Sequence, residues 1–405
     1  MKIYADMHVH SKYSQATSLN LTLENLEKYA KIKGITLLGT GDFTHPKWIQ
    51  EIKENLTEEN GILFTKNKFP FVLQTEISLM YSKNGKGRRI HHLVLAPSLD
   101  VVEQITQYLL KHGRVDYDGR PIFKIDSEQF VSDLKNISSD IEIIPAHAWT
   151  PWFGIFGSNS GFDSLKECFG NETKNIHAIE TGMSSSPDMN WRIKELDDKQ
   201  IISFSDLHSF WPWRLGREAT IFDFKELNYK NLIKAIRTGE NFIGTIETDP
   251  NYGKYHYDGH RLCNFSCSPK ESKKLNGICP ICKKPLTIGV EYRVEQLASF
   301  PLGRKSPIAK PFFKVLPLHE LISSYKQLAI STKTVQDIYN KFIERFGNEI
   351  NILLNAEEKE LMKIDEKISN LIMQNRVGKI KVKPGYDGIY GEAVIDVEEK
   401  QKRLF

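Results

Sequence analysis

Two histidines one residue apart, His8 and His10, close the alternating run Lys2-Ile-Tyr-Ala-Asp6-Met-His8-Val-His10. In a strand, side chains at i and i+2 share a face, so both imidazoles can reach one hard or borderline cation, with Asp6 on that face to orient a ring. A lone His-x-His also occurs on exposed edge strands, so the rest of the chain decides between the two. Further on, apolar runs repeatedly end in a metal-binding type. Ile35-Thr-Leu-Leu-Gly-Thr is followed by Asp42, Phe71-Val-Leu-Gln-Thr by Glu76, and Ile141-Glu-Ile-Ile-Pro-Ala by His147. Ile176-His-Ala-Ile delivers Glu180, Ile201-Ile-Ser-Phe-Ser delivers Asp206 and His208, and the pair His91-His92 opens Leu93-Val-Leu-Ala. Ionisable residues seldom cap so many apolar runs by chance. Eight of them, His8, His10, Asp42, Glu76, His92, His147, Asp206 and His208, are the expected ligands of a site for two or three ions. Mixed imidazole and carboxylate donors suit Zn²⁺, Mn²⁺ or Fe²⁺ better than Ca²⁺. Such a centre lowers the pKa of bound water toward neutrality and acts as a Lewis acid on a bound oxygen.

Positioning these groups requires strands alternating with helices. Leu21 to Gly34 carries Leu23, Leu26, Tyr29 and Ala30 at helical spacing with Gly34 as its stop, and Trp48 to Leu56 reads as a second helix. Ligands at strand ends between helical segments describe an α/β chain, a parallel β/α barrel with its site at the C-terminal ends of the strands. Two ligand loops also carry aromatic clusters: Trp149, Trp152, Phe153 and Phe156 after His147, and Phe210, Trp211, Trp213, Arg214 and Arg217 after His208. Loops at that end of a barrel face substrate, so Trp149, Trp152, Phe153, Phe210, Trp211, Trp213, Arg214 and Arg217 are expected to bind it by stacking and charge.

At 405 residues and 40% hydrophobic content the chain has room for two or three domains with a sizeable core. Its apolar runs are far shorter than a membrane span, and Met1-Lys-Ile-Tyr-Ala-Asp lacks the regions of a secretory signal, so a cytoplasmic protein without a membrane partner is expected. Four of five cysteines fall between 263 and 282, which in an intracellular chain points to metal rather than disulfides. Cys279-Pro-Ile-Cys282 presents two thiolates to one tetrahedral ion, and a second pair upstream completes it. That pair is Cys263 with either His260, which gives two-residue spacing in both knuckles, or Cys267. Asn264 after the first knuckle tolerates the left-handed geometry such a turn needs. The net charge is +4, and residues 261–300, with seven Lys/Arg against three Glu, account for all of it, a face suited to phosphates.

Asp6-x-His-x-His-Ser, Thr75-Glu-Ile, His92-Leu-Val, Ala146-His and Ser205-Asp-x-His, in this order, resemble the PHP family of polymerase-associated and histidinol phosphatases. The resemblance covers residues 1 to about 245 and implies a distorted seven-stranded PHP-type β/α barrel with a binuclear or trinuclear centre that hydrolyses phosphoesters. Two positions depart from the family: Thr40-Gly41-Asp42 stands for Thr-Asp-His, and Gln15 stands for an acidic residue. Within that family the chain is similar to the endonuclease Q group through Gly39-Thr-Gly-Asp-Phe-Thr-His-Pro, Pro145-Ala-His-Ala-Trp-Thr-Pro-Trp-Phe, Gly253-Lys-Tyr-His-Tyr-Asp-Gly-His and Pro384-Gly-Tyr-Asp-Gly-Ile-Tyr-Gly. A helicase would need a phosphate-binding Gly-x₄-Gly-Lys-Ser/Thr loop, which the sequence lacks.

The expected organisation is a PHP catalytic domain at 1–245, a zinc-binding module at 246–300 and a mostly helical domain at 301–405, with 301–310 as linker and helices at 333–346 and 356–374. The expected activity, implied by the endonuclease Q resemblance, is metal-dependent incision of DNA 5′ to deoxyuridine, hypoxanthine, xanthine and abasic sites. His8, His10, Glu76 and Asp206 are expected to carry the hydrolysis. His260, Cys263, Cys279 and Cys282 are expected to hold structural Zn²⁺, and Zn²⁺, Mg²⁺ or Mn²⁺ would serve the catalytic centre. Damaged double-stranded or single-stranded DNA is the expected partner, and a sliding clamp is left open. The alternatives are a histidinol phosphatase-like phosphoesterase, which needs neither a basic module nor aromatic loops, and an inactive DNA-binding relative.

Overall fold

The computed structural model describes residues 1–395 and is a mixed α/β chain; the end of the expected helical domain, 396–405, lies outside the described residues. Among the described residues its largest sheet has eight strands. Their order is Phe312–Lys314, Phe242–Glu247, Ala219–Asp223, Lys2–Asp6, Leu37–Gly39, Pro70–Val72, Ile62–Phe64 and Thr57–Glu59. A four-stranded sheet joins Ile122–Phe123, Gln74–Lys83, Lys86–Leu95 and Glu142–Pro145, and Ala178–Glu180 pairs in parallel with Gln200–Ile202. Backbone hydrogen bonds connect these sheets edge to edge: Ala96 N–H to Leu73 O, Ala148 N–H to Glu180 O, and Leu207 N–H to His8 O.

The strands are not uniformly parallel. Gln74–Lys83 and Lys86–Leu95 form an antiparallel hairpin, and Lys86–Leu95 is also antiparallel to Glu142–Pro145. Asn84 and Gly85, at φ 54° and 72°, form its two-residue turn, the left-handed pair whose twist matches that of the flanking strands. The register set by this turn places Ser78 opposite His91 and Ile77 opposite His92.

Helices form where the spacing predicts them. Leu23–Lys33 is capped by Thr22, whose side chain accepts from the Asn25 amide, and ends at left-handed Gly34; its buried face includes Leu23, Leu26 and Ala30. At the other end, Lys333–Phe346 matches its expected span, whereas the expected 356–374 helix is broken into Glu358–Met362 and Glu366–Arg376. The short helix that follows the first of these, Glu349–Leu354, docks on the N-terminal helix through a buried ion pair, Lys33 Nζ to Glu349 at 2.7 Å, and Lys33 also donates to Pro212 O. Asp258–His260 and Phe265–Cys267 form a small antiparallel pair beside the cysteines. Among the described residues no helix is long and apolar enough to cross a membrane.

Candidate metal centre and cleft

His8 and His10 leave the first strand side by side, fully buried. Their Nε2 atoms meet two carboxylates from distant strand ends. His10 Nε2 lies 3.1 Å from Asp206 Oδ1 and 3.4 Å from Glu76 Oε2, and His8 Nε2 lies 3.5 Å and 3.6 Å from the same atoms. A second set shares Glu76: its Oε1 is 2.7 Å from His91 Nδ1 and 3.2 Å from His147 Nε2. Within each set the ligand atoms lie within 4.8 Å of one another. Glu76 therefore offers one oxygen to each set, the arrangement a bridging carboxylate needs in a two-metal site. The His8 Nε2 atom is buried without a hydrogen-bond partner among the described residues, as a lone pair kept for a cation would be.

A second layer of carboxylates aims the rings. Glu180 receives His8 Nδ1 at 2.8 Å and the His147 amide at 2.6 Å, so one buried side chain serves both sets. Asp42 receives His10 Nδ1 at 3.1 Å while also accepting from the Ser11 amide and the Ser11 and Ser14 hydroxyls. Burial disfavours charge on these groups, yet their neighbours outweigh it. Glu76 is held well below the usual carboxylate range by His91, Arg120 and His8, and Asp206 likewise by His8, His208 and His10. His10 is pushed up to about 9, because the carboxylates of Asp206, Asp42 and Glu76 outweigh desolvation. Asp42, His147 and Asp206, at φ 42°, 30° and 47°, all hold left-handed backbone where their strands end, strain that the packing around the cluster must sustain.

Several expected roles shift. His92, expected as a ligand, faces away. His91 shares the Glu76 and Ser78 face of the hairpin, so His92 points to the other face, with Nε2 3.0 Å from Ser127 Oγ and its ring between Phe130 and Phe169. Asp42 is in neither set, because four donors already occupy its carboxylate. Asp6, expected to orient a ring, accepts instead from Ser205 and Gly216; Glu180 orients His8. His208 sits at the edge, its Nδ1 3.1 Å from Asp206 O and its ring 4.8 Å from His10, outside both sets. Arg120, which the sequence pattern did not single out, places Nη1 3.2 Å from Glu76 Oε2.

The cluster opens onto a cleft of about 650 Å³, lined in part by Gln15, His91, Arg120, His147, Trp152, Phe153 and Asp206. Trp152 and Phe153 thus line this cleft. Trp149 does not: it is fully buried and its indole N–H donates to Asn190 Oδ1. Phe210 and Trp213 are also buried, Trp213 against His319, leaving Trp211 exposed and stacked on Trp213 at 5.1 Å. Arg214 and Arg217 line a chamber continuous with the cleft.

At the cysteine knuckles, His260, Cys263, Cys279 and Cys282 form a third set, with Cys282 Sγ 3.5 Å from His260 Nδ1. Cys267 is excluded from that set and buried beside Cys279 and Leu286. Asn264 is left-handed at φ 48°, as the knuckle requires.

The hairpin register yields a direct test. We expect His91→Ala to lower metal content and metal-dependent activity about tenfold or more. His92→Ala should leave metal content unchanged and cost about 1–3 kcal/mol of stability through the lost Ser127 contact. Metal per chain and thermal melting of both variants check this, and equal metal loss in the two would refute the register argument.

Residues 317–379 match the family model of the MJ0043 C-terminal domain. The MJ0043 protein of Methanocaldococcus jannaschii is 34% identical over 289 residues, 70% of this chain and 35% of that protein, so the match spans about a third of the relative's length. The crystal structure of a lesion-specific endonuclease, PfuEndoQ from Pyrococcus furiosus, superposes with a TM-score of 0.87 at 30% identity over 98% of this chain and 96% of that one. An endonuclease Q crystallised with a 27-mer duplex carrying an abasic lesion at its active site superposes at 0.88, with 30% identity over 100% of both chains. Similarity of this degree along the full length places the chain in the endonuclease Q family.

Proposed function

We propose that the protein is a metal-dependent DNA repair endonuclease that hydrolyses the phosphodiester 5′ to a damaged nucleotide: deoxyuridine, hypoxanthine, xanthine or an abasic site. The observation that carries this reading is the pair of ligand sets sharing Glu76 at the base of an open cleft, in a chain alike over its whole length to an endonuclease Q held on lesion DNA. His8, His10, Glu76 and Asp206 would hold one ion and Glu76, His91 and His147 a second. Divalent ions held there would supply Lewis acidity to phosphate oxygens and acidify water, and Zn²⁺, Mn²⁺ and Mg²⁺ are the candidates. Glu180 and Asp42 keep the ring nitrogens aimed, Arg120 adds a cation at the phosphate side of Glu76, and Trp152 and Phe153 line the path of a base leaving its stack.

The hydrogen bonds linking edge to edge the strands beginning at Lys2, Leu37, Pro70 (which runs on into Gln74–Lys83), Lys86, Glu142, Ala178 and Gln200, with Leu207 returning to His8, support a distorted seven-stranded barrel in residues 1–245. The convergence of His260 with the cysteines supports a zinc module in 246–300, and the helices from Leu318 onward support a mostly helical unit in 301–405.

Labelled duplexes with and without one deoxyuridine, incubated with Mg²⁺, Mn²⁺ or Zn²⁺, test the activity. We expect a single nick 5′ to deoxyuridine and none in the undamaged duplex. Equal cutting of both, or no cutting with any of the three ions, would remove the lesion-specific reading.

A further inference from the structure

Past Asp206 and His208 the cleft continues into a chamber of about 440 Å³ whose far wall is cationic. Three side chains converge there on the Tyr390 ring. The Arg214 guanidinium lies 5.5 Å and the Lys254 ammonium 4.7 Å from its centroid, and Arg217 approaches its phenol. Arg217 is anchored by Nε and Nη2, which donate to Ser205 O at 3.2 and 2.9 Å, while its Nη1 is buried without an acceptor among the described residues. Among the described residues no carboxylate lies within 4.0 Å of the cationic atoms of Arg214, Arg217 or Lys254. Burial raises the Tyr390 phenol, but Arg217, Arg214 and Lys254 outweigh it and hold the group below its ordinary value.

This convergence is built from three separate stretches of chain. The loop after His208 brings the arginines, the segment before the first knuckle brings Lys254, and the turn 384–391 brings Tyr390. That turn lies so close on 251–253 that a Cβ on Gly385 would stand 2.3 Å from Gly253 O, and one on Gly391 2.2 Å from Asn251 O. Asp206 is the carboxylate on the opposite wall, but with none at ion-pair distance the three cations repel one another, and an anion entering the chamber beside them relieves that repulsion.

We propose that this chamber binds the phosphodiester on the 3′ side of the nucleotide whose 5′ phosphodiester lies at the metal ligands. The proposal rests on the nuclease reading above. A nucleotide carries one phosphate on each side, and Asp206 is a wall common to the metal cleft and the cationic chamber. Drawing both phosphates into one continuous cleft shortens the backbone across that nucleotide and favours its rotation out of the stack. Arg214, Arg217 and Lys254 are therefore specificity-determining: they hold the second phosphate only when the intervening nucleotide is extruded.

The test replaces single phosphates by neutral methylphosphonates in a deoxyuridine duplex, with full-length protein in its metal-loaded form. A neutral linkage immediately 3′ to deoxyuridine should lower kcat/KM about tenfold or more and reduce the slope of log affinity against log salt by about one; the same change several linkages away should do neither. In the double variant Arg214→Ala, Lys254→Ala, checked for an unchanged melting profile, the unmodified duplex should already bind weakly and the 3′ methylphosphonate should cost nothing further. Full sensitivity to that linkage in the double variant, or indifference to it in the unmodified protein, overturns the proposal; a nucleobase as occupant would give the second result. Affinity and salt slope are read without turnover, so a protein that binds as described yet never incises refutes the nuclease reading and leaves the phosphate site standing.

Discussion

Asp206→Ala is expected to lower incision of deoxyuridine DNA by on the order of 10²–10³ or more, the size seen when a group that stabilises developing charge is removed. Asp206 Oδ1 is the atom that approaches both His10 Nε2 and His8 Nε2, and its side chain is 27% exposed and lines the cleft, so on the proposed reading it would be at once a ligand and a wall of the substrate path. Its carboxylate is held well below the usual range, so it is ionised at neutral pH and its loss removes a full negative charge from the ion site. That loss also removes a charge that repels phosphate, so DNA affinity should stay within about threefold of the unmodified protein or rise. Incision assays beside gel-shift affinity and thermal melting check all three outcomes. Activity near that of the unmodified protein would sink the assignment, while lost binding with a lowered melting temperature would make Asp206 a structural residue.

The second large effect concerns the cysteine knuckles. Cys279→Ser is expected to release one equivalent of metal per chain and unfold the segment around 258–287, whereas Cys267→Ser keeps the metal. The small apolar cluster there is Cys267, Cys279 and Leu286, with Cys263, Phe265, Leu275 and Cys282 packed against it. A buried side chain of this size contributes roughly 1.5–3 kcal/mol, against about 10–16 kcal/mol for structural Zn²⁺ in isolated zinc-finger peptides. An ion held by the knuckles would therefore be the main organiser of this segment. Because Arg261 N–H donates to Asp387 and the Tyr257 amide donates to Gly385 O, unfolding here also frees the turn that carries Tyr390. We expect DNA affinity to fall with it. Metal analysis, limited proteolysis and gel shift read the three consequences, and metal lost equally from Cys267→Ser would exclude His260 as the fourth ligand.

What could be read from the amino-acid sequence was local. The period of two that puts His8 and His10 on one face, the two-residue spacing of both knuckles, left-handed Asn264 and the helix over 333–346 all depend on neighbours a few residues away, and all are present in the structure. The Asn84-Gly85 turn is also written in the chain, but only the paired strands fix its register, and without that register the choice between His91 and His92 cannot be made. Which of two adjacent histidines meets Glu76 is a matter of cross-strand pairing. Whether Asp42 is a ligand or an orienting group depends on four donors arriving from Ser11, Ser14 and His10. Trp149 and Trp152 lie three residues apart in one loop; Asn190 draws the first into the core and leaves the second at the cleft. The cationic chamber required Lys254, Arg214 and Tyr390 to be folded together across 176 positions of chain. Residue type and spacing determine what chemistry a strand end can offer, but burial and partner choice are set by contacts between segments distant in sequence, and only the tertiary structure decides those.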